Sequence, residues 1–310
     1  MRAVLHALTD ELQRLKTAGV KSVAVSDESV AALRRAIAIR GARARQPEAA
    51  KAAPPASAAL APKPYEPPPA PIRRAAPAAP TASSAAPIPA PPTVVLPAGD
   101  KPARWNALLA LVQNDPVCRA HVRPGKKVVL GVGNVDAKIM FVGEAPGAEE
   151  EIQGEPFVGP AGQLLTRMIG GMGLKRGDVY IGNIMNWRPE LPTSGGEQYG
   201  NRPPTEEEMR YCLPYLRAQI EVVAPELLVA LGATAAQGLL GFGTFKALGE
   251  VRGRWREFAG KPLMITYHPS YILRNQSNRS KRMIWEDLLK VMERAALPIS
   301  EKQRAFFLEK

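Results

Sequence analysis

The stretch GEAPGAEEEIQGEPFVGPAGQLL, residues 143–165, decides the fold because it joins a buried strand to an amphipathic helix. The apolar residues 138–142 before it predict the strand, and the apolar stripe along residues 161–172 predicts the helix. Its glycines let the backbone turn tightly and approach a ligand closely, and the free N–H groups where a helix begins favour an anion. The stretch therefore predicts a ligand-binding loop at the carboxyl end of a strand.

Strand and helix patterns alternate on both sides of this stretch. Predicted strands cover residues 127–132, 138–142, 178–183, 227–231 and 262–267, and predicted helices cover residues 104–113, 161–172, 205–223, 233–240 and 280–295. This alternation predicts an α/β fold with a parallel sheet that helices cover on both faces. Because ligands bind where parallel strands end, the loops after Val142, Asn183 and Tyr267 are expected to form the site.

The chain before this domain has a different composition. Residues 1–42 contain two short helical patterns and are interpreted as a helical leader that docks a protein partner, because so few residues make a marginal independent fold. Residues 43–102 are dominated by Ala and Pro and are interpreted as a disordered, extended linker. Residues 103–310 are predicted to form the globular domain.

Charge and composition narrow the classes of function. The net charge of +12 divides into +7 over residues 1–102 and +5 over the remainder. Such a balance favours a polyanionic partner, although a basic leader that only keeps the chain soluble fits equally well. Since no apolar run reaches the roughly 18–20 residues of a membrane span, we expect no membrane association. Two cysteines cannot form a disulfide framework, so a reducing, cytoplasmic location is predicted.

Several motifs together resemble the uracil-DNA glycosylase superfamily. Residues 143–165 match the pattern GEAPG…G-x-PFVG-x-AG-x-LL of its family 4, and YIGN at 180–183 matches the strand that carries a uracil-reading Asn. HPSYILR at 268–274 matches the second catalytic motif. The resemblance covers roughly residues 118–291. It implies a three-layer α/β/α fold with a central, mostly parallel four-stranded sheet. It also implies a monomer that acts on uracil-containing DNA and hydrolyses the N-glycosidic bond of deoxyuridine.

The resemblance assigns the base-binding roles to three side chains. A glycosylase must extrude its target nucleotide from the stack, and Phe157 would then stack on the uracil, although plain core packing is its alternative. Asn183 would pair with O4 and N3–H of uracil and reject cytosine, which presents the opposite polarity; a turn or capping role is its alternative. His268 would donate a hydrogen bond to uracil O2 as negative charge gathers on the departing base.

The loop after the first motif strand contributes further candidates. Glu144 is predicted to position or activate the attacking water, with the identity of the base left open because better-known relatives place an Asp where this chain has Ala145. Gly143 and Ala145 are expected to line the uracil pocket. Glu150 matches an acid near uracil C5 that helps to exclude the methyl group of thymine; a solvated loop acid is the alternative.

DNA contacts are expected after the His268 motif. An apolar tip between cations could enter the gap that the extruded base leaves, although a run of cations is usually a solvated helix face. The predicted DNA-binding residues are Ser270, Tyr271, Ile272, Leu273, Arg274, Arg279, Lys281 and Arg282.

The cysteines depart from the family pattern. Family 4 members usually hold a four-iron, four-sulfur cluster on four cysteines, and here only Cys118 and Cys212 remain, as remnants of the ligand set. The other two matching positions carry His121 and Trp187. We therefore predict that no cluster and no metal is bound, and that Trp187 fills the space.

Two other functions stay open at this stage. A non-catalytic DNA-binding or adaptor member of the same fold, related to phage DNA polymerase-associated proteins, would explain the lost cysteines, whereas Glu144, Asn183 and His268 argue for catalysis. A nucleotide-binding α/β enzyme ranks last because the glycine-rich loop lacks a GxGxxG pattern and a P-loop Lys.

Overall fold

The computed structural model describes residues 88–191, residue 198 and residues 200–308. The predicted leader and most of the predicted linker lie outside the described residues, as does most of the Gly/Ser-rich segment around residue 195. No helix in the described ranges has the length and apolarity that crossing a bilayer requires.

A six-stranded sheet forms the centre of the domain, in the order β1-β3-β2-β4-β6-β5. The strands are β1 (Val132–Gly133), β2 (Ile139–Gly143), β3 (Tyr180–Asn183), β4 (Leu227–Leu231), β5 (Trp255–Phe258) and β6 (Lys261–Thr266). The four inner strands β3, β2, β4 and β6 run parallel, which confirms the predicted parallel sheet. The structure adds two short antiparallel strands, β1 and β5, at the edges.

Helices lie between the parallel strands along the chain. In the described ranges they are α1 (Lys101–Asn114), α2 (Pro116–Ala120), α3 (Ala148–Gln153), α4 (Pro160–Gly171), α5 (Glu206–Val223), α6 (Ala233–Leu240), α7 (Pro269–Arg274), α8 (Asn278–Arg294) and α9 (Glu301–Arg304). Thr205 caps α5 through a reciprocal bond pair with Glu208, as the sequence predicts.

Alternation along the strands creates two separate cores. On β2, Met140 and Val142 pack into one apolar cluster with α1, α5 and α6, while Ile139 and Phe141 pack into a second cluster with α4 and α8. Successive side chains of a strand point to opposite faces, so a strand buried along its whole length needs helices on both sides. This confirms the three-layer α/β/α architecture.

The first predicted strand is largely wrong. Of residues 127–132 only the last belongs to β1, and the preceding segment is extended but pairs with loops and side chains. The N–H of Val129 donates to the Asn186 carbonyl at 2.8 Å, and the N–H of Gly131 donates to Gln219 Oε1 at 3.1 Å. An apolar run indicates that a segment is buried but not that it pairs with a strand, and most of this segment is unpaired with any strand.

The last part of the predicted linker also needs correction. Ile88, Val94 and Leu96 are partly buried against the first core, and Asp100 caps α1, which begins before residue 103. Among the described residues, packing against the first core therefore extends back to residue 88, and an Ala/Pro-rich composition does not reveal these apolar anchors.

Candidate active site

Three loops meet at the carboxyl edge of the sheet. Gly143 at the end of β2 lies opposite Asn183 at the end of β3, and β6 ends two residues before His268. Between them lies a cavity of about 630 Å³. Its lining includes Glu144, Ala145, Glu150, Phe157, Asn183, His268, Ser270 and Arg274. Most of the side chains predicted for base recognition and chemistry thus share one cavity.

Phe157 occupies a constrained position in this cavity. Its backbone has a φ of 55°, which residues other than Gly rarely adopt. The centre of its ring lies 5.7 Å from the centre of the His268 ring. Gly162 allows the start of α4 to pack on the Phe157 carbonyl, which a Cβ at that position would overlap. The side chain is only 6 % exposed and also belongs to the second core. Core packing is therefore a feature of this residue, and its stacking on uracil remains a prediction.

Gly143 permits the close approach of the Asn183 and Phe157 side chains. A Cβ at this position would overlap Asn183 Oδ1 and would lie 2.5 Å from Phe157 Cζ. Real Cβ atoms do not occur at such distances. The glycine is therefore a requirement of the pocket wall.

Within the described part of the chain, the Asn183 side chain carries a buried acceptor without a partner. It is 5 % exposed, and among the described residues its Oδ1 atom has no hydrogen-bond partner. Leaving a buried acceptor unsatisfied costs about 1–3 kcal/mol, so such a group is expected to have a function. Oδ1 is therefore available to accept from a ligand N–H.

His268 is held as a neutral imidazole. Its Nδ1 atom accepts from the backbone N–H of Ser270 at 3.2 Å, so the ring proton lies on Nε2. Burial, with a smaller contribution from the charge of Arg274, lowers the pKa of His268 to about 4. Near neutral pH the ring therefore presents a neutral Nε2–H donor.

Glu144 lies half-buried in the same cavity. Burial raises the pKa of its carboxyl above the usual value, and a hydrogen bond with the Thr234 side chain opposes that shift. A carboxylate with a raised pKa is a stronger base, as a water-activating group requires. Thr234 was not predicted from the sequence, although it lies one residue into the helix that follows β4, where ligand-binding loops are expected.

The acid limb of the pH–rate profile is expected to report Glu144. A general base must be ionised, so the rate should fall as the pH decreases through the raised pKa of Glu144. Thr234→Ala removes the bond that lowers this pKa and should move the limb to higher pH. Single-turnover rates between pH 4 and 8 measure the position of the acid limb. Thr244→Ala, which lies outside the cavity, is the control. A limb that stays in place or moves to lower pH contradicts the assignment.

Glu150 is not a solvated loop acid. It is 9 % exposed, and its two oxygens accept three backbone N–H groups at 3.0–3.1 Å. The donors are Gly147, Val158 and Gly159. The carboxylate thus connects the two ends of the loop that carries Phe157. It also lines the cavity, and its contact with uracil C5 remains a prediction.

The predicted DNA-binding set divides in the structure. Ser270 and Arg274 line the cavity, and Leu273 is 38 % exposed. Tyr271 stacks on Tyr267 with 4.4 Å between ring centres, and the side chains of Arg279 and Lys281 lie outside the cavity.

Two members of that set need correction. Ile272 is 7 % exposed and packs in the second core, because on the short helix α7 it points inward. The Arg282 guanidinium donates to Glu286 and to the carbonyls of Arg304 and Phe306, and so it binds the C-terminal segment to α8. In the structure Ile272 is therefore a core residue, and Arg282 is bound within the protein.

The positions that match the family's cluster ligands do not fit an iron–sulfur cluster. Cys118 and Cys212 are buried and are the only thiols of the chain. A hydrogen bond with Cys212, together with burial, raises the pKa of the Cys118 thiol, and cluster iron requires thiolates. The His121 ring stacks on Trp187, with 4.9 Å between ring centres, and Trp187 is 1 % exposed. In the described ranges no group of three or more metal-binding side chains occurs.

A hydrogen-bond network adjoins these positions. Asp115, 8 % exposed, accepts from the hydroxyls of Tyr211 and Tyr215 at 2.8 Å and from the N–H of Cys118 at 2.7 Å. Burial alone would raise the pKa of Asp115, but these hydrogen bonds together lower it. The network therefore connects α2 to α5, which carries Cys212.

Asp115→Ala is expected to reduce the free energy of unfolding by about 3 kcal/mol, since it leaves three buried donors without their acceptor. Urea denaturation measures the change, and Asp136→Ala, at an exposed ion pair with Lys101, is the control. An iron chelator should leave the unfolding midpoint of the wild-type protein unchanged. Equal effects of the two substitutions would contradict a stabilising role of the Asp115 network. An unfolding midpoint that falls with the chelator would contradict the prediction that no iron–sulfur cluster is bound.

Together, the fold and the cavity define a three-layer α/β protein with a ligand pocket at the carboxyl ends of its parallel strands, lined by Phe157, Asn183 and His268. Residues 130–289 match the sequence profile of the uracil DNA glycosylase superfamily. The chain belongs to this superfamily.

Individual relatives agree with that assignment. The chain is 43 % identical to a type-4 uracil-DNA glycosylase of Thermotoga maritima over 180 residues, which are 58 % of this chain and 88 % of the relative. It is 40 % identical to a type-4 uracil-DNA glycosylase of Pyrobaculum aerophilum over 55 % of this chain and 85 % of the relative. A type-5 uracil-DNA glycosylase of the same organism is 31 % identical over 53 % of this chain and 73 % of the relative.

Proposed function

We propose that the protein is a DNA repair enzyme that releases uracil from DNA by hydrolysing the N-glycosidic bond of deoxyuridine. The observation that carries the proposal is the buried, unpartnered Oδ1 of Asn183 in a cavity shared with Phe157 and His268. The type-4 relatives support the same reaction by their names.

Recognition rests on the polarity of the base. The Asn183 amide can accept from N3–H of uracil through Oδ1 and donate to O4 through Nδ2. Cytosine has an acceptor at N3 and a donor at position 4, so it would oppose both groups of a buried amide. A site built for a particular hydrogen bond rejects an analogue that lacks it by roughly 10⁴-fold.

The reaction breaks the bond between C1′ of the sugar and N1 of uracil. The electron pair of that bond passes to the base, whose negative charge spreads onto O2, where the neutral Nε2–H of His268 can donate. A water molecule adds its oxygen to C1′, and Glu144 takes the proton. The uracil anion then takes up a proton from solvent and Glu144 returns the water proton to solvent, so the products are free uracil and an abasic site.

Strand cleavage is not part of the proposal. Among the described residues that line the cavity none is a lysine, so no amine is available there to form an imine with the sugar. The enzyme is therefore proposed to be monofunctional and to leave the DNA backbone intact.

The partners and the location are proposed together with the reaction. The substrate would be uracil-containing DNA, bound by a monomer in the cytoplasm, and the leader at residues 1–42 would contact a protein partner. The alternative of a non-catalytic DNA-binding member lacks a reason for the retained Glu144 and for the neutral imidazole of His268 in one cavity.

Incubation with single- and double-stranded oligonucleotides that contain one uracil tests the proposal. Alkaline treatment should cleave the incubated DNA at the uracil position, whereas without alkali the strand should stay intact. Oligonucleotides with cytosine or thymine at the same position serve as controls. Binding without alkali-sensitive sites would favour the non-catalytic alternative.

A further inference from the structure

We propose that Arg274 is a positioning residue that acts on His268 through the hydroxyl of Ser270. This inference rests on the proposed function, because it gives His268 the role of donor to the departing base. It assigns Arg274 and Ser270 a role within the protein in addition to any contact with DNA phosphates.

The inference begins with the acceptor at His268 Nδ1. Two groups of Ser270 approach this atom: the backbone N–H at 3.2 Å and the side-chain Oγ at 2.8 Å. Since the N–H can only donate, Nδ1 carries no proton, and the hydroxyl must donate its own proton to Nδ1. A hydroxyl that turned away would leave Nδ1 with the longer of its two bonds alone.

Arg274 determines where that hydroxyl proton points. Its Nη1 donates to Ser270 Oγ at 3.3 Å, one helical turn after Ser270 on α7. A guanidinium has no acceptor, so the hydroxyl proton is directed away from Arg274 and towards Nδ1. The three side chains form a directed chain of hydrogen bonds from Arg274 through Ser270 to His268, ending at the Nε2–H in the cavity.

The charge of Arg274 acts in the same direction. A cation near the ring disfavours the imidazolium, in addition to the effect of burial. The ionisable side chains that line the same cavity are Glu144, Glu149, Glu150, Arg202 and Arg274. Of these, Glu150 is bound by three backbone N–H groups and Arg202 is paired with Glu208. Arg274 is therefore the cation placed to act on the ring of His268.

Imidazole ¹⁵N NMR of the free, full-length protein tests the proposal without reference to activity. The chain has three histidines, and the His268 signal is identified by its loss in His268→Ala. In the wild-type protein we expect the Nε2–H tautomer and a titration midpoint near 4. Arg274→Gln should raise the midpoint towards the usual 6.5 and Ser270→Ala should increase the fraction of the other tautomer.

The rate constant at saturating DNA provides the second readout. Each single substitution should lower it roughly tenfold, as expected for a residue that orients an essential group. In the double variant, Arg274→Gln should add little to the loss caused by Ser270→Ala, because both act on the same bond. Arg256→Gln, on the exposed edge strand β5, controls for the loss of a positive charge.

The outcomes separate this proposal from its alternatives. Arg279→Gln, which removes an exposed cation outside the cavity, is expected to affect DNA binding alone. If Arg274→Gln likewise weakens DNA binding but leaves the tautomer and the titration midpoint of His268 unchanged, Arg274 only binds phosphate and the proposal is rejected. Additive losses in the double variant would also reject it. A wild-type protein without glycosylase activity would refute the proposed function, while the NMR result would still test the hydrogen-bond chain.

Discussion

Gly143→Ala is expected to lower the rate of uracil release by about a hundredfold or more while the fold is retained. The added methyl group would overlap Asn183 Oδ1 and lie 2.5 Å from Phe157 Cζ, so both side chains must move. Displacing a positioning group by about 1 Å can cost about 10²-fold in rate. Single-turnover release of uracil from an oligonucleotide measures the effect.

Gly170→Ala is the matched control for this substitution. A Cβ at Gly170 meets no atom within 4 Å, and the residue lies in α4, where Ala is the better helix former. This variant should keep the wild-type rate. Circular dichroism and the thermal midpoint are the measurements that test whether the Gly143→Ala protein is folded. A folded Gly143→Ala protein with full activity would show that Phe157 and Asn183 do not form the base-binding wall.

His268→Ala is expected to lower the single-turnover rate by about 10²–10³-fold, the usual cost of losing one donor to a developing negative charge. The loss should appear in the rate at saturating DNA, because the bond to uracil O2 strengthens as the base departs. His121→Ala is the control, since this ring stacks on Trp187 away from the cavity. Equal rates for His268→Ala and the wild type would remove the imidazole from the mechanism.

Much of the fold was predictable because burial and secondary structure coincide in its centre. The bounds of β4 and α6 agree with the sequence patterns, and α5 begins at its predicted capping box. The apolar pattern at residues 127–132 predicts a strand of which only the last residue belongs to β1, because periodicity does not reveal what a buried backbone pairs with. Strand β5 has only one buried residue of its four, so its pattern resembles a loop.

The site was predictable where a residue's chemistry follows from its own type and position. The convergence of Phe157, Asn183 and His268 follows from three loops at one edge of a parallel sheet. The bonds of Glu150 to three backbone N–H groups depend on how its loop folds back, which spacing does not encode. The inward orientation of Ile272 likewise depends on the rotation of a six-residue helix.

A crystal structure with DNA that contains 2′-fluoro-deoxyuridine, which resists hydrolysis, tests the central claim most directly. We expect the extruded uracil in the cavity with its ring against Phe157, its N3–H within hydrogen-bond distance of Asn183 Oδ1, and its O2 within that distance of His268 Nε2. A uracil bound elsewhere, or one that leaves Asn183 Oδ1 unpartnered, would contradict the account.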